Sequence, residues 1–104
     1  MKNPIDRLAA WYSAQCNGEW EHQQGVEITT LDNPGWRLRI DLAETELESA
    51  RFDVIEDGIA DDRPSWKRCW REGTRFHATC SQDNLTSVIE SFLDWAEKRS
   101  GLGR

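Results

Sequence analysis

Cys16, Cys69, Cys80, His22 and His77 are the side chains of this chain best suited to nucleophilic or metal chemistry. A metal site needs several His, Cys or carboxylate groups that converge on one point. The two histidines are far apart in sequence, and no pair among the five has ligand spacing. His77 and Cys80 fall on one candidate strand at odd separation, so they would point to opposite faces of a sheet. A cysteine nucleophile must be a thiolate, stabilised by a base or a helix N-terminus. Cys16 closes a helix, where the dipole works against ionisation, and it lies on the apolar stripe of that helix. Cys80 stands close to the start of the last helix and is the better candidate. A small thiol-dependent enzyme using Cys80 is therefore the catalytic alternative that these residues offer. Glu21 beside His22 supplies acid–base types, but neighbours along a strand diverge. No Walker loop, GxGxxG or GxSxG motif is present. The residues point to no catalytic site, no cofactor and no metal, and the chain is not expected to be an enzyme.

The elements that would position these groups follow from periodicity. In PIDRLAAWYSAQC, Asn3 can cap a helix and Pro4 suits its first position. Ile5, Leu8, Ala9, Tyr12 and Cys16 keep helical spacing, with Trp11 at the margin. Asn17-Gly18 ends that helix, and Trp20-Glu21-His22 follows as a loop or short edge strand. In DNLTSVIESFLDWAEKR, the central stripe is Leu85, Val88, Ile89, Phe92 and Ala96, flanked by Leu93 and Trp95. Ser81 or Asp83 can cap it, Lys98 and Arg99 suit its C-terminal dipole, and Gly101 marks the stop.

Between the helices the pattern is strand-like. Val26, Ile28 and Thr30 alternate with polar residues, and so do Trp36, Leu38, Ile40 and Leu42. Pro34-Gly35 supplies a turn. A loop of Asn33 to Gly35 would set Thr30 opposite Leu38, Ile28 opposite Ile40 and Val26 opposite Leu42, keeping apolar faces together. Further strands are predicted near Arg51 to Glu56, Trp66 to Arg71 and Arg75 to Cys80, with a hairpin turn at Glu72-Gly73-Thr74. Gly58 to Pro64 reads as a polar, acidic loop. The expected architecture is α+β: an antiparallel meander of about four to five strands, with N-terminal and C-terminal helices packed on one face. Residues 1–104 form a single domain on this reading.

Charge is segregated. From Asp41 to Asp62 the acidic residues are opposed by Arg51 alone, and from Arg63 to Arg75 the basic residues are opposed by Glu72 alone. As neighbouring strands these stretches would neutralise each other across the ladder. As a free surface, the 44–62 stretch would be an acidic patch for a basic protein. The formal net charge of -6 argues against nucleic acid and against an anionic membrane. Three cysteines without CxxC spacing, no apolar run of membrane-span length and no secretory segment ahead of the first helix lead to the expectation of a cytoplasmic protein with reduced thiols.

The run LAAWYSAQCNGEWEHQQGVEITTLDNPGWRLRIDL resembles the start of the immunity protein 53 family of bacterial polymorphic toxin systems. Trp11-Tyr12, Gln15-Cys16-Asn17-Gly18, Trp20-Glu21-His22, Gly25-Val26, Ile28, Thr30 and Asp32-Asn33-Pro34-Gly35-Trp36 carry the resemblance. Trp66, Cys69, Gly73, Phe76, Asn84-Leu85, Ile89, Phe92, Leu93 and Trp95 are similar to the family's closing strands and helix. Glu44 to Pro64 carries no such match. The resemblance implies a small antidote that binds a cognate toxin domain, for which a basic nuclease would be a fitting partner. On that reading Trp36 is scaffold, whereas Trp20 is core or an exposed anchor. The candidate toxin-binding residues are Trp20, Glu21, His22, Glu46, Glu48, Glu56, Asp57, Asp61 and Asp62. A non-catalytic subunit of another intracellular complex remains the other alternative. The oligomeric state is not legible.

Overall fold

The computed structural model describes residues 3–99. In chain order its elements are α1 (Pro4–Gln15), α2 (Trp20–Gln23), β1 (Val26–Leu31), β2 (Gly35–Asp41), β3 (Ile55–Asp57), β4 (Lys67–Glu72), β5 (Arg75–Cys80) and α3 (Leu85–Arg99). The strands form one sheet in the order β1-β2-β5-β4-β3, antiparallel at every pairing. α3 packs on one face of it, and α1 packs against α3. The fold is α+β, as the sequence pattern predicts. Its path is not a single meander, however. After β2 the chain crosses to the far edge, and β3, β4 and β5 return until β5 closes against β2.

The core is built where alternation on the strands meets the stripe of α3. Leu38, Ile40, Cys69, Phe76, Ala78 and Cys80 face Val88, Ile89, Phe92, Leu93 and Ala96, all buried. Phe92 meets Phe76 at 5.1 Å and Trp11 edge-on at 5.0 Å. Burying such a ring is worth about 1.5–3 kcal/mol. The residue that precedes α3 is Asn84, not Ser81 or Asp83. Lys98 and Arg99 occupy its last turn; Gly101 lies outside the described residues.

In α1 the cap is as predicted: the Asn3 side chain accepts the Asp6 N–H at 2.8 Å. The buried stripe is not. Leu8 is buried and Trp11 and Gln15 are half-buried, whereas Ile5, Ala9, Tyr12 and Cys16 are exposed. The helix turns on Trp11, because one large ring buried against Phe92 and Trp20 outweighs several small side chains. Asn17 does more than end α1. Its side-chain oxygen accepts the N–H groups of Glu19 and Trp20, and the Glu21 carboxylate accepts those of Asn17 and Gly18, at 2.9–3.0 Å. Trp20-Glu21-His22 is therefore a helical turn rather than a loop or edge strand.

The β1–β2 hairpin keeps the predicted parity but not the predicted loop. The loop is Asp32 to Pro34, and Ile28 faces Leu38 while Val26 faces Ile40. Gly35 belongs to the strand because β5 comes too close for a side chain: a Cβ there would sit 2.3 Å from the Cys80 carbonyl oxygen. The strand predicted at Arg51 to Glu56 shrinks to Ile55–Asp57. Its first half is held by α3 instead. Trp95 donates its indole N–H to the Arg51 carbonyl at 2.8 Å, and Phe52 packs edge-on against Trp95 and Phe76.

Candidate functional site

The α3 side of the sheet is filled, and among the described residues no helix packs on the opposite side. Alternation puts Glu27, Arg37, Arg39, Arg68, Trp70, Glu72, Arg75, His77 and Thr79 on that bare side. Register arranges its centre in two rows. Arg37, Thr79 and Arg68 are cross-strand partners, and so are Arg39, His77 and Trp70. Trp70 and His77 stack with centroids 5.3 Å apart, and the Arg68 guanidinium lies 4.7 Å from the Trp70 ring centre. Three ion pairs reach outward or along the surface: Arg39–Glu27 at 3.4 Å, Arg68–Glu56 at 3.1 Å and Arg75–Asp41 at 3.1 Å. Asp41 is committed inward as well, accepting the Gly25 N–H at 2.9 Å. Partial burial, together with Arg39, Arg75 and Arg37, holds the His77 pKa below its ordinary value, and Glu72 opposes this.

The thiols are placed against nucleophilic chemistry. Cys80 and Cys69 are buried on the α3 side, and loss of solvent pushes each thiol up to about 11. Cys80 is thus closed off from solvent with its thiol held protonated at neutral pH, the opposite of the exposed, stabilised thiolate that a cysteine nucleophile uses. Cys16, predicted to pack in the core, is exposed. His77 and Cys80 do lie on opposite faces. Glu21 is occupied by backbone N–H groups, which hold its carboxyl below the usual range, and His22 beside it is exposed. Among the described residues, no group of three His, Cys, Asp or Glu side chains is close enough to hold a metal ion. Among them, too, no helix is long and apolar enough to cross a membrane.

The residues predicted to meet a partner do not form one surface. Trp20 is 2 % exposed, stacks edge-on with Trp11 and donates its indole N–H to the Ala43 carbonyl at 2.9 Å. Of its two predicted roles it takes core, and it cannot be an exposed anchor. Trp36 is scaffold, with its N–H on the Gln82 carbonyl at 3.1 Å. Glu46 and Glu48 lie in the turn that Arg71, at the end of β4, holds through the carbonyls of Leu47, Glu48 and Ala50. Asp57 pairs with Lys67 at the start of β4. Asp57 and Asp61 flank Arg63, and Glu56 pairs with Arg68. The acidic stretch is thus split between the two ends of β4, about 13 Å apart. Beside Glu46, a groove of about 380 Å³ runs between α1 and α3, floored by Ala10, Trp11, Leu47 and Leu93.

The model of immunity protein 53 matches residues 5–97. The chain belongs to the immunity protein 53 family. No curated protein and no solved structure matches it. In this immunity protein the bare-face residues that sequence reasoning did not single out are Arg37, Arg39, Trp70 and Arg75. The signal for Arg37 and Arg39 lay in the polar half of the alternation Trp36-Arg37-Leu38-Arg39-Ile40, which gains meaning only when β2 is known to lie beside β5.

Proposed function

We propose that this member of the immunity protein 53 family binds and neutralises a cognate toxin domain by stoichiometric protein contact, in the cytoplasm, without turning over any substrate. The family match over residues 5–97 carries this reading. A basic nuclease is the toxin type that best suits a chain of net charge -6. The carboxylates of Glu46, Glu48, Glu56, Asp57, Asp61 and Asp62, with Glu21 and His22 in α2, would act on such a partner mainly by steering encounter. Co-expression with the toxin domain encoded beside this gene, followed by size-exclusion chromatography, tests the proposal. Restored growth and a co-eluting complex are expected. Continued toxicity with separate elution would overturn it for that pair.

A further inference from the structure

We propose that the bare face of the sheet is the surface that docks the toxin, and that it fits a partner surface with carboxylates at its centre and basic residues around them. The inference rests on the immunity reading. Four observations support it. The centre of the face is cationic and aromatic, with Arg37, Arg39 and Arg68 around the stacked Trp70 and His77. The Arg37 side chain is exposed and makes no ion pair or hydrogen bond among the described residues. The pairs that engage Arg39 and Arg68 are half-exposed, where water screens them and leaves them weak, so a partner's carboxylates can replace them. The rim is acidic: Glu27 stands on edge strand β1, Glu56 on edge strand β3 and Glu72 at the end of β4.

A cationic centre inside an acidic rim complements a surface of the opposite layout. An enzyme that cleaves phosphodiesters has that layout, because carboxylates hold its metal or base while basic residues around them bind phosphates. The guanidinium fork matches a carboxylate in two-point geometry. Arg and Trp are also the residues that most often carry interface energy. Strands fix these groups in advance, so little ordering is needed on binding. The acidic rim and the net charge of -6 disfavour a nucleic acid on the same face.

The test uses the full chain and the adjacent toxin domain, with biolayer interferometry for rates and a fluorescein-labelled single-stranded oligonucleotide as polyanion probe. Arg37→Glu with Arg68→Glu should weaken toxin binding about a hundredfold, mostly through faster dissociation. Arg37→Ser, which breaks no ion pair or side-chain hydrogen bond among the described residues, should weaken it about tenfold and guards against misfolding of the double variant. Wild-type binding with unchanged dissociation in both variants would overturn the docking face and leave the immunity function standing. No binding and no protection by the wild type would overturn the immunity function, and this inference with it. Wild-type capture of the oligonucleotide, lost in the double variant while toxin binding persists, would reassign the face to a polyanion.

Discussion

The bare sheet face and the 44–62 segment are both charged, but they are held in different ways. On the sheet, charge rides on three hydrogen-bonded strands, and cross-strand register sets which groups are neighbours. In the 44–62 segment, carboxylates that follow one another along the chain are carried to opposite ends of β4. The first arrangement can present a fixed pattern to a partner. The second spreads negative potential without fixing geometry. Pattern governs how long a complex lasts, and diffuse potential governs how often it is attempted.

Arg71 is the sharpest place to separate the two. Its guanidinium holds the carbonyls of Leu47, Glu48 and Ala50, and its side chain reaches away from the bare face. Arg71→Ala leaves those oxygens without their charged donor and should cost about 3 kcal/mol in a denaturant titration. If the regions are independent, hydrogen exchange will accelerate across 44–50 while β2 and β5 stay protected. Equal acceleration in β2 and β5 would show that the sheet face depends on the acidic turn.

Two glycines give a matched pair with a smaller effect. Gly35 lies against the Cys80 carbonyl oxygen, and Gly58, at φ 80, would bring a Cβ to 2.4 Å from the Ser65 carbonyl oxygen. Either glycine-to-alanine change forces backbone to move and should cost about 1–3 kcal/mol. Gly35→Ala shifts β2 against β5, so the toxin complex should also dissociate faster. Gly58→Ala disturbs only the acidic end and should leave dissociation near wild type. Reversed kinetics would place the contact in the 57–62 loop.

Next in size is charge reversal at Glu46, Glu48, Asp57 and Asp61 together. Association with the toxin should slow about tenfold at low salt, and the difference should shrink as salt rises. Dissociation should stay near wild type. An unchanged association rate would remove any steering role from these carboxylates.

The helices α1 and α3, the strand pair of β4 and β5, and the layer order were legible because apolar periodicity reports them directly. Leu85 to Ala96 and Phe76 to Cys80 are where they were predicted to be. The α1 face was misread because spacing weighs Ile5 and Tyr12 like Trp11, whereas burial favours the larger ring with partners on two other elements. The hairpin parity was legible, but its loop was not, since the closeness of Cys80 to Gly35 is a long-range fact. The same reason hid the arginine rows. Arg37 and Arg68 are far apart in sequence and become near neighbours only because β5 lies between β2 and β4. The carboxylates of 44–62, adjacent in sequence, drew attention instead.

The smallest effect is a titration at His77. The ring faces Arg37 and Arg39 from β2, Arg75 on its own strand, Glu72 from β4 and the Trp70 stack. Burial, then repulsion from the arginines, lowers its pKa below 6.5, so the folded chain binds a proton less readily than the unfolded chain. The resulting stability is present above pH 6.5 and is lost as pH falls through the lowered folded value. His77→Gln should flatten that part of the stability curve. An NMR titration reads the same quantity directly: His77 should titrate below 6.5 in the free protein and move upward when toxin carboxylates join the arginines. A free-protein value at or above 6.5 would mean that the arginines do not crowd the ring. An unmoved value in the complex would mean that the toxin sits elsewhere, and the comparison would then turn in favour of the acidic ends.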